Sequence, residues 1–257
     1  MEMQHWGVRP VLFSLGGVDI PSYGFFALAG LLVGLTVIYR QVKRQQSMKE
    51  QMIQVIFAAF VGGVLGAKIP IWVANAELII ANLPNCYFLL SGRSLVGGII
   101  GGTITVWWVK RKYQINTRMG NALAPGIAIG LSIGRIGCFL RGCCFGVATT
   151  LPWGIDFGDG VLRHPTQLYE SAYALAVFFV LLYARRVVTQ PGRLFDIFIL
   201  LYFVFRFWIE FLRADPPVFI GLTVVQFVAL VIVMYRGIPL ATSFLKSQQG
   251  YSRLRTE

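Results

Sequence analysis

Residues 134–146 read GRIGCFLRGCCFG and residues 163–170 read RHPTQLYE. Together they hold Arg135, Arg141 and Arg163, one of the two histidines (His164), and Cys138, Cys143 and Cys144, three of the four cysteines in the chain. Apolar runs of membrane-crossing length flank them on both sides. Ionisable groups are costly at such a place, so the two stretches point to a functional site at the end of a helix bundle.

The surrounding composition fixes the class. The chain has 257 residues, 56% of them hydrophobic and 13% charged, and its mean hydropathy is +0.67. A soluble domain carries roughly a quarter charged residues. A transmembrane barrel alternates apolar and polar residues in short segments, whereas here the apolar runs are unbroken. The expected fold is all-α, a polytopic membrane protein forming a single domain over residues 1–257. The formal net charge of +12 would suggest nucleic acid in a soluble protein. Here the lysines and arginines lie in short loops between apolar runs and no nucleic-acid signature accompanies them, so they read as topogenic charge.

Seven spans are expected, at about residues 23–39, 52–73, 94–108, 119–140, 167–183, 194–212 and 223–235. Residues 1–20 lack a basic leader and a cleavage site; they read as a surface segment with a turn at Gly16–Gly17. Residues 75–93 read as a semi-polar arm, and residues 141–163 as a small extracytoplasmic cap. Of the 23 lysines and arginines, 15 fall in the loops after spans one, three and five and in the tail. That bias puts the N-terminus outside and the C-terminus in the cytoplasm. Arg135, Arg141, Arg163, Arg206 and Arg213 lie on the other side, where topology does not explain them.

Arg206, Glu210 and Arg213 recur at helical spacing, so one helical face would carry two guanidiniums and a carboxylate. Guanidinium forks match phosphate oxygens, and Arg135, Arg163 and Arg206 together suggest a phospholipid headgroup pocket. Gly134 and Gly137 bracket Arg135 and allow close backbone approach. In RHPTQLYE, Pro165 suits a helix start, Gln167 and Glu170 cap or line it, and His164 is a proton acceptor near neutral pH. Glu210 is a second candidate base. Tyr23 reads as an interface anchor. For the cysteines three readings stand open: packing residues, a disulfide from Cys143 or Cys144 to Cys86, and a reactive thiolate or metal site. No CxxC pair supports a zinc set; no metal and no cofactor are expected.

The stretch at 134–146 resembles the signature of bacterial prolipoprotein diacylglyceryl transferases, Gly-Arg-x-Gly-Asn-Phe-x-Asn-x-Glu-x-x-Gly, at Gly134, Arg135, Gly137, Phe139 and Gly146. RHPTQLYE resembles the family's second block. Tyr23–Gly24, the block from Ser94 to Gly97 and Gly98, Arg206 with Glu210, and Gly221 to Thr223 with Gln226 resemble further blocks in order. The resemblance implies seven spans with the N-terminus out, in the bacterial inner membrane. It also implies transfer of diacylglyceryl from phosphatidylglycerol to the lipobox cysteine of a preprolipoprotein, by a monomer. It places substrate-binding roles on Tyr23, Gly97, Gly98, Arg135, Gly137, Cys138, Arg163, Gln167, Tyr169 and Arg206. The candidate catalytic residues come from this chain's own sequence and not from the resemblance: His164 or Glu210 as a substitute base, and Cys143 or Cys144 as a reactive thiol.

The departures fall where acid–base chemistry is expected. Val96 stands for the family's histidine, Cys138 and Arg141 for two asparagines, and Cys143 for the glutamate. Two other readings follow: a paralogous phospholipid-dependent transferase with thiol chemistry at Cys143 or Cys144, and a non-catalytic lipid- or lipoprotein-binding membrane protein.

Overall fold

The computed structural model describes residues 8–43, 49–74, 76, 95–116, 118–213 and 218–253. Among the described residues there are seven α-helices: α1 (Ser22–Val42), α2 (Lys49–Ala74), α3 (Leu95–Lys112), α4 (Gly120–Arg141), α5 (Thr166–Ala184), α6 (Arg193–Ile209) and α7 (Val224–Arg253). Of these, α1, α2, α4 and α5 are long and apolar enough to cross a membrane, and α7 holds a shorter apolar stretch, Val224–Ile238. Phe57, Trp107, Phe179 and Trp208 are all more than half exposed. Outward apolar faces of this kind fit lipid, so the chain is a helical membrane protein.

Two helix ends differ from the expected spans. The sixth was expected to run to residue 212, but α6 stops at Ile209; a 3-10 turn, Glu210–Leu212, follows, and Arg213 is extended. The seventh was expected to give way to a basic tail after residue 235, but α7 continues to Arg253. The expected arm at 75–93, with Cys86, lies outside the described residues apart from residue 76.

The chain forms two compact units, residues 41–117 and residues 1–40 with 118–257. In the first, α2 and α3 pack along a glycine seam. A Cβ on Gly66 would lie 2.4 Å from the Gly97 carbonyl oxygen, and one on Gly101 would lie 2.3 Å from that of Gly62. Only glycine permits this approach. Thr105 extends the seam by donating from Oγ1 to the Ala58 carbonyl at 2.8 Å.

In the other unit, α1 meets α4 through glycines. A Cβ on Gly30 would lie 2.6 Å from the Gly130 carbonyl, and one on Gly34 would lie 2.7 Å from that of Gly126. Ala124 and Ala128 of α4, Val177 and Leu181 of α5, and Leu194 and Phe198 of α6 form its core. Ser132 and Ser171 tie α4 to α5 by hydroxyl-to-carbonyl bonds in both directions, at 2.9 and 2.8 Å. Asn121 joins the start of α4 to the start of α6, accepting from the Leu194 N–H at 2.9 Å.

Two small hairpins complete this unit. β1 (Val11–Leu15) pairs antiparallel with β2 (Val18–Pro21). Their turn lies at Gly16 and Gly17, as the sequence predicts, both with positive φ. Backbone bonds from Arg9 to Leu140 and from Ser22 to Pro10 hold this hairpin to α4 and α1. In the cap, β3 (Ile155–Asp156) pairs with β4 (Leu162–Arg163). Asp156 Oδ1 accepts from the Gly158 and Gly160 N–H groups at 2.8 and 3.0 Å, which shapes the turn between the strands.

Candidate functional site

The residues of GRIGCFLRGCCFG reach the site because α4 ends in their midst. Gly142 takes the left-handed conformation, φ 73°, and caps the helix. Its N–H donates to Phe139 and that of Cys143 donates to Cys138, a helix end that glycine accommodates without strain. The chain then turns at Cys144, which has positive φ, and enters isolated bridges at Gly146 and Ala148. Gly146 donates to the His164 carbonyl and Val147 to that of Leu212, both at 2.9 Å. A Cβ on Gly146 would lie 2.3 Å from the Leu212 carbonyl. This glycine therefore lets the cysteine stretch, RHPTQLYE and the end of α6 meet.

At that meeting stands Glu170 of α5, which is buried. Its Oε2 pairs with Arg135 Nη2. Its Oε1 lies 3.3 Å from Arg213 Nη1 and 3.6 Å from Arg206 Nη1. Glu210, also buried, takes Arg206 Nη2 at 3.0 Å and Arg213 Nε at 3.6 Å. Thr223 Oγ1 donates to the other Glu210 oxygen at 2.9 Å. Three guanidiniums thus face two carboxylates, leaving one positive charge in a largely buried cluster. In low dielectric such an excess attracts an anion strongly. Arg206 and Arg213 both reach Glu210 as the spacing predicts, although Arg213 does so from extended backbone and not from the helix.

Arg163 is not the third arginine of this cluster. Its Nε donates to Asp159 Oδ2 at 2.7 Å, and its guanidinium lies over the Phe145 ring. The hydrogen bond from Arg163 holds Asp159 below the usual carboxylate range. The expected trio of Arg135, Arg163 and Arg206 is replaced by Arg135, Arg206 and Arg213, because the turn between β3 and β4 supplies Arg163 with its own acid.

The remaining candidates have definite places. Gly137 is a packing residue, since a Cβ there would lie 2.8 Å from Phe26 Cβ and 3.3 Å from Tyr23 Cα. The Tyr23 ring lies under the Arg141 guanidinium, 5.5 Å from it. Gly134 faces open space, with nothing within 4 Å of the position its Cβ would take. Gly97 and Gly98 sit in the α2–α3 seam. Gln167 is fully buried and donates from Nε2 to the Cys143 carbonyl at 2.7 Å. Tyr169 accepts from the Trp153 indole N–H at 2.8 Å and lies 3.4 Å from His164 Nδ1.

These contacts bear on the two candidate bases. The Tyr169 hydroxyl, which accepts from Trp153, also meets His164 at Nδ1, so this ring nitrogen already has a hydrogen-bond partner. Glu210 is already engaged by two guanidiniums, those of Arg206 and Arg213.

Cys138, Cys143 and Cys144 are free thiols, and their three sulfur atoms lie within 4.8 Å of one another. Cys143 also donates to the Cys138 carbonyl, at 3.5 Å. Hydrogen bonding to the Cys138 and Cys144 sulfurs, together with burial, pushes the Cys143 thiol up. Hydrogen bonds from Cys138 and Cys143 favour the Cys144 thiolate, and Arg213 and Arg135 assist against the cost of burial. The two groups share one proton-bonded network, in which Cys144 is the acidic member.

The prolipoprotein diacylglyceryl transferase family model matches residues 10–241. The chain belongs to this family. A phosphatidylglycerol–prolipoprotein diacylglyceryl transferase of Clostridium tetani is 32% identical over 216 residues, 81% of this chain and 87% of the relative. One from Clostridioides difficile is 33% identical over 86% of this chain and 90% of the relative. A third, from Pseudoalteromonas atlantica, is 34% identical over 84% and 79%. The family is one of transferase enzymes, and the resemblance read from residues 134–146 and 163–170 holds over nearly the whole chain.

Within that family, Glu170 is the residue whose role the sequence underplays: read as lining a helix start, it is the centre of the charge cluster. The signal was available. Gln167, Glu170, Ala174, Val177 and Leu181 form one buried stripe of α5 at helical spacing, which turns Glu170 inward with the core residues.

Proposed function

We propose that this chain transfers the diacylglyceryl group of phosphatidylglycerol to the thiol of a lipobox cysteine in a preprolipoprotein, releasing glycerol-1-phosphate. The observation that carries this reading is the cluster of Arg135, Arg206 and Arg213 around Glu170 and Glu210. A lipid phosphate entering it would displace part of the guanidinium–carboxylate contact and neutralise the excess charge. As the bond to the diacylglyceryl carbon breaks, negative charge builds on the departing phosphate oxygen. Guanidiniums already held in place by buried carboxylates stabilise that charge without reorganising, which is the most effective form of electrostatic catalysis. The open space beside Gly134, next to Arg135, is where the lipid would pass.

The same proposal places all seven helices across the bacterial inner membrane as one transmembrane transferase domain, with the N-terminus outside, the C-terminus in the cytoplasm and the 141–163 cap at the outer face. Two basic–aromatic pairs at the end of α3, Arg111 over Trp107 and Lys112 over Trp108, support a cytoplasmic interface there. A single copy suffices, because one chain supplies every residue of the cluster.

Complementation tests the reading. In a strain depleted of its own diacylglyceryl transferase, expression of this chain should restore growth and thioether-modified lipoprotein. Arg206→Ala and Arg135→Ala should not. Absence of rescue by the unaltered chain, with the protein present in the membrane, would overturn the assignment.

A further inference from the structure

The three cysteines stand where the family signature carries asparagine or glutamate or immediately beside those positions, and two candidate bases are occupied by other partners. We propose that Cys138, Cys143 and Cys144 form a three-thiolate site for a thiophilic divalent cation of zinc's class, whose fourth position receives the acceptor thiol. The inference rests on the transferase reading above for its substrate, and on the thiol geometry for its site.

Zinc bound at about 2.3 Å by thiolates in tetrahedral geometry spaces its sulfurs roughly 3.8 Å apart. The three sulfurs here already lie within 4.8 Å of one another, so side-chain rotation closes the site without moving the backbone far. That backbone is fixed from outside. Gln167 Nε2 holds the Cys143 carbonyl at 2.7 Å and Thr166 Oγ1 holds that of Cys144 at 2.8 Å. Cys138 is fixed by the last turn of α4. Cys144 sits at φ +65°, an uncommon conformation for a residue with a side chain. Such strain persists only where surrounding contacts impose it.

The surroundings favour a cation-bearing thiolate cluster that is short of one ligand. Three thiolates and one divalent ion carry a net negative charge, and Arg213 Nη1 lies 3.5 Å from the Cys144 carbonyl. Gln167 Oε1 is buried and makes no hydrogen bond among the described residues. Buried amide oxygens are seldom left so. This oxygen belongs to the side chain whose Nε2 holds the Cys143 carbonyl. Three protein ligands with one open position is the arrangement of a catalytic zinc, whereas structural sites use four.

The chemistry follows. The acceptor R–SH enters the open position, and coordination releases its proton to solvent, since a metal-bound thiol ionises. The sulfur electron pair then attacks the diacylglyceryl carbon. The S–C bond forms, the C–O bond to phosphate breaks, and its electron pair leaves on the glycerol phosphate held by the guanidiniums. Nothing is oxidised or reduced. A neighbouring protein base is no longer required.

The test uses the full chain, purified in detergent, reduced and freed of metal with a chelator, and titrated with Co2+. One equivalent should bind, with sulfur-to-cobalt charge-transfer absorption and the intense visible bands of four-coordinate Co2+. Each of Cys138→Ser, Cys143→Ser and Cys144→Ser should weaken binding at least tenfold, with helical circular dichroism retained. A lipobox peptide should shift the visible bands, and the same peptide with serine for cysteine should not. Absence of stoichiometric binding, or binding that survives all three substitutions together, overturns the site. Bands that ignore the cysteine peptide, or full transferase activity after chelation, overturn the role of the fourth position while leaving the transferase assignment standing. Stoichiometric binding in a chain that fails complementation upholds the site and overturns the transferase reading alone.

Discussion

Glu170 of α5 and Arg135 of α4 form a direct ion pair, with the carboxylate buried and its second oxygen shared between Arg206 and Arg213. One carboxylate therefore orients three guanidiniums drawn from α4, α6 and the segment after α6. Removing its charge by Glu170→Gln leaves Glu210 alone against all three. Breaking a buried ion pair on one side costs about 3–5 kcal/mol, and the partial exposure of Arg135 moves the expectation to the lower end. Thermal unfolding in detergent should show a clear loss of stability, together with loss of transferase activity. A variant that unfolds like the unaltered chain would show that Glu170 is not the organising carboxylate.

Arg206 contacts both carboxylates, Glu170 through Nη1 and Glu210 through Nη2. Only a planar fork reaches two acids and still presents an N–H to a phosphate. Lysine keeps the charge and loses the fork. Arg206→Lys should fold normally and lower turnover about 10²–10³-fold, the loss seen when one preorganised donor to a developing oxyanion is removed. Turnover within a few-fold of the unaltered chain would take Arg206 out of the leaving-group contact.

Glycines separate packing from lipid access. Gly66→Ala would drive a methyl against the Gly97 carbonyl, whereas Gly134→Ala projects a methyl into open space. The first should destabilise the α2–α3 pair and lower the unfolding temperature. The second should leave that temperature unchanged or raise it slightly, since alanine favours a helix by about 0.5–1 kcal/mol over glycine. Yet Gly134→Ala should raise the KM for phosphatidylglycerol, because the space lies beside Arg135. Unchanged kinetics would show that lipid does not use it.

The contrast between these glycines marks how far the sequence carries. Long apolar runs made α1, α2, α4 and α5 legible, because hydropathy over twenty residues has one physical solution in lipid. Gly16–Gly17 announced its turn because positive φ suits glycine. Gly97, Gly98 and Gly137 show the limit: a glycine that admits a ligand and one that admits a neighbouring helix look alike in sequence, and the structure puts these three against helices. Arg163 shows another limit. Its acid, Asp159, is chosen by the turn between β3 and β4, a feature without periodicity. The exchange of Arg163 for Arg213 depends on Gly146 drawing three segments together, and no spacing within one segment encodes that meeting. The cysteines were legible as a departure, but their convergence within 4.8 Å needed the left-handed turn at Gly142.

Thr223 links the last helix to the charge cluster. It precedes α7, with Gln226 three residues on: the Thr223 N–H donates to Gln226 Oε1 at 2.9 Å, and the Gln226 N–H donates to Thr223 Oγ1 at 3.3 Å. This is a reciprocal helix cap. The same hydroxyl spends its own proton on Glu210 at 2.9 Å. Thr223→Val keeps the shape and removes both functions. It should cost about 1 kcal/mol for the cap and about a further 1–3 kcal/mol for the buried Glu210 oxygen left without its donor. Thr223→Ser, which keeps the hydroxyl, should recover most of the stability and activity. If valine and serine behave alike in thermal unfolding and in lipid turnover, the hydroxyl does not connect α7 to Glu210, and the two carboxylates hold the guanidiniums without it.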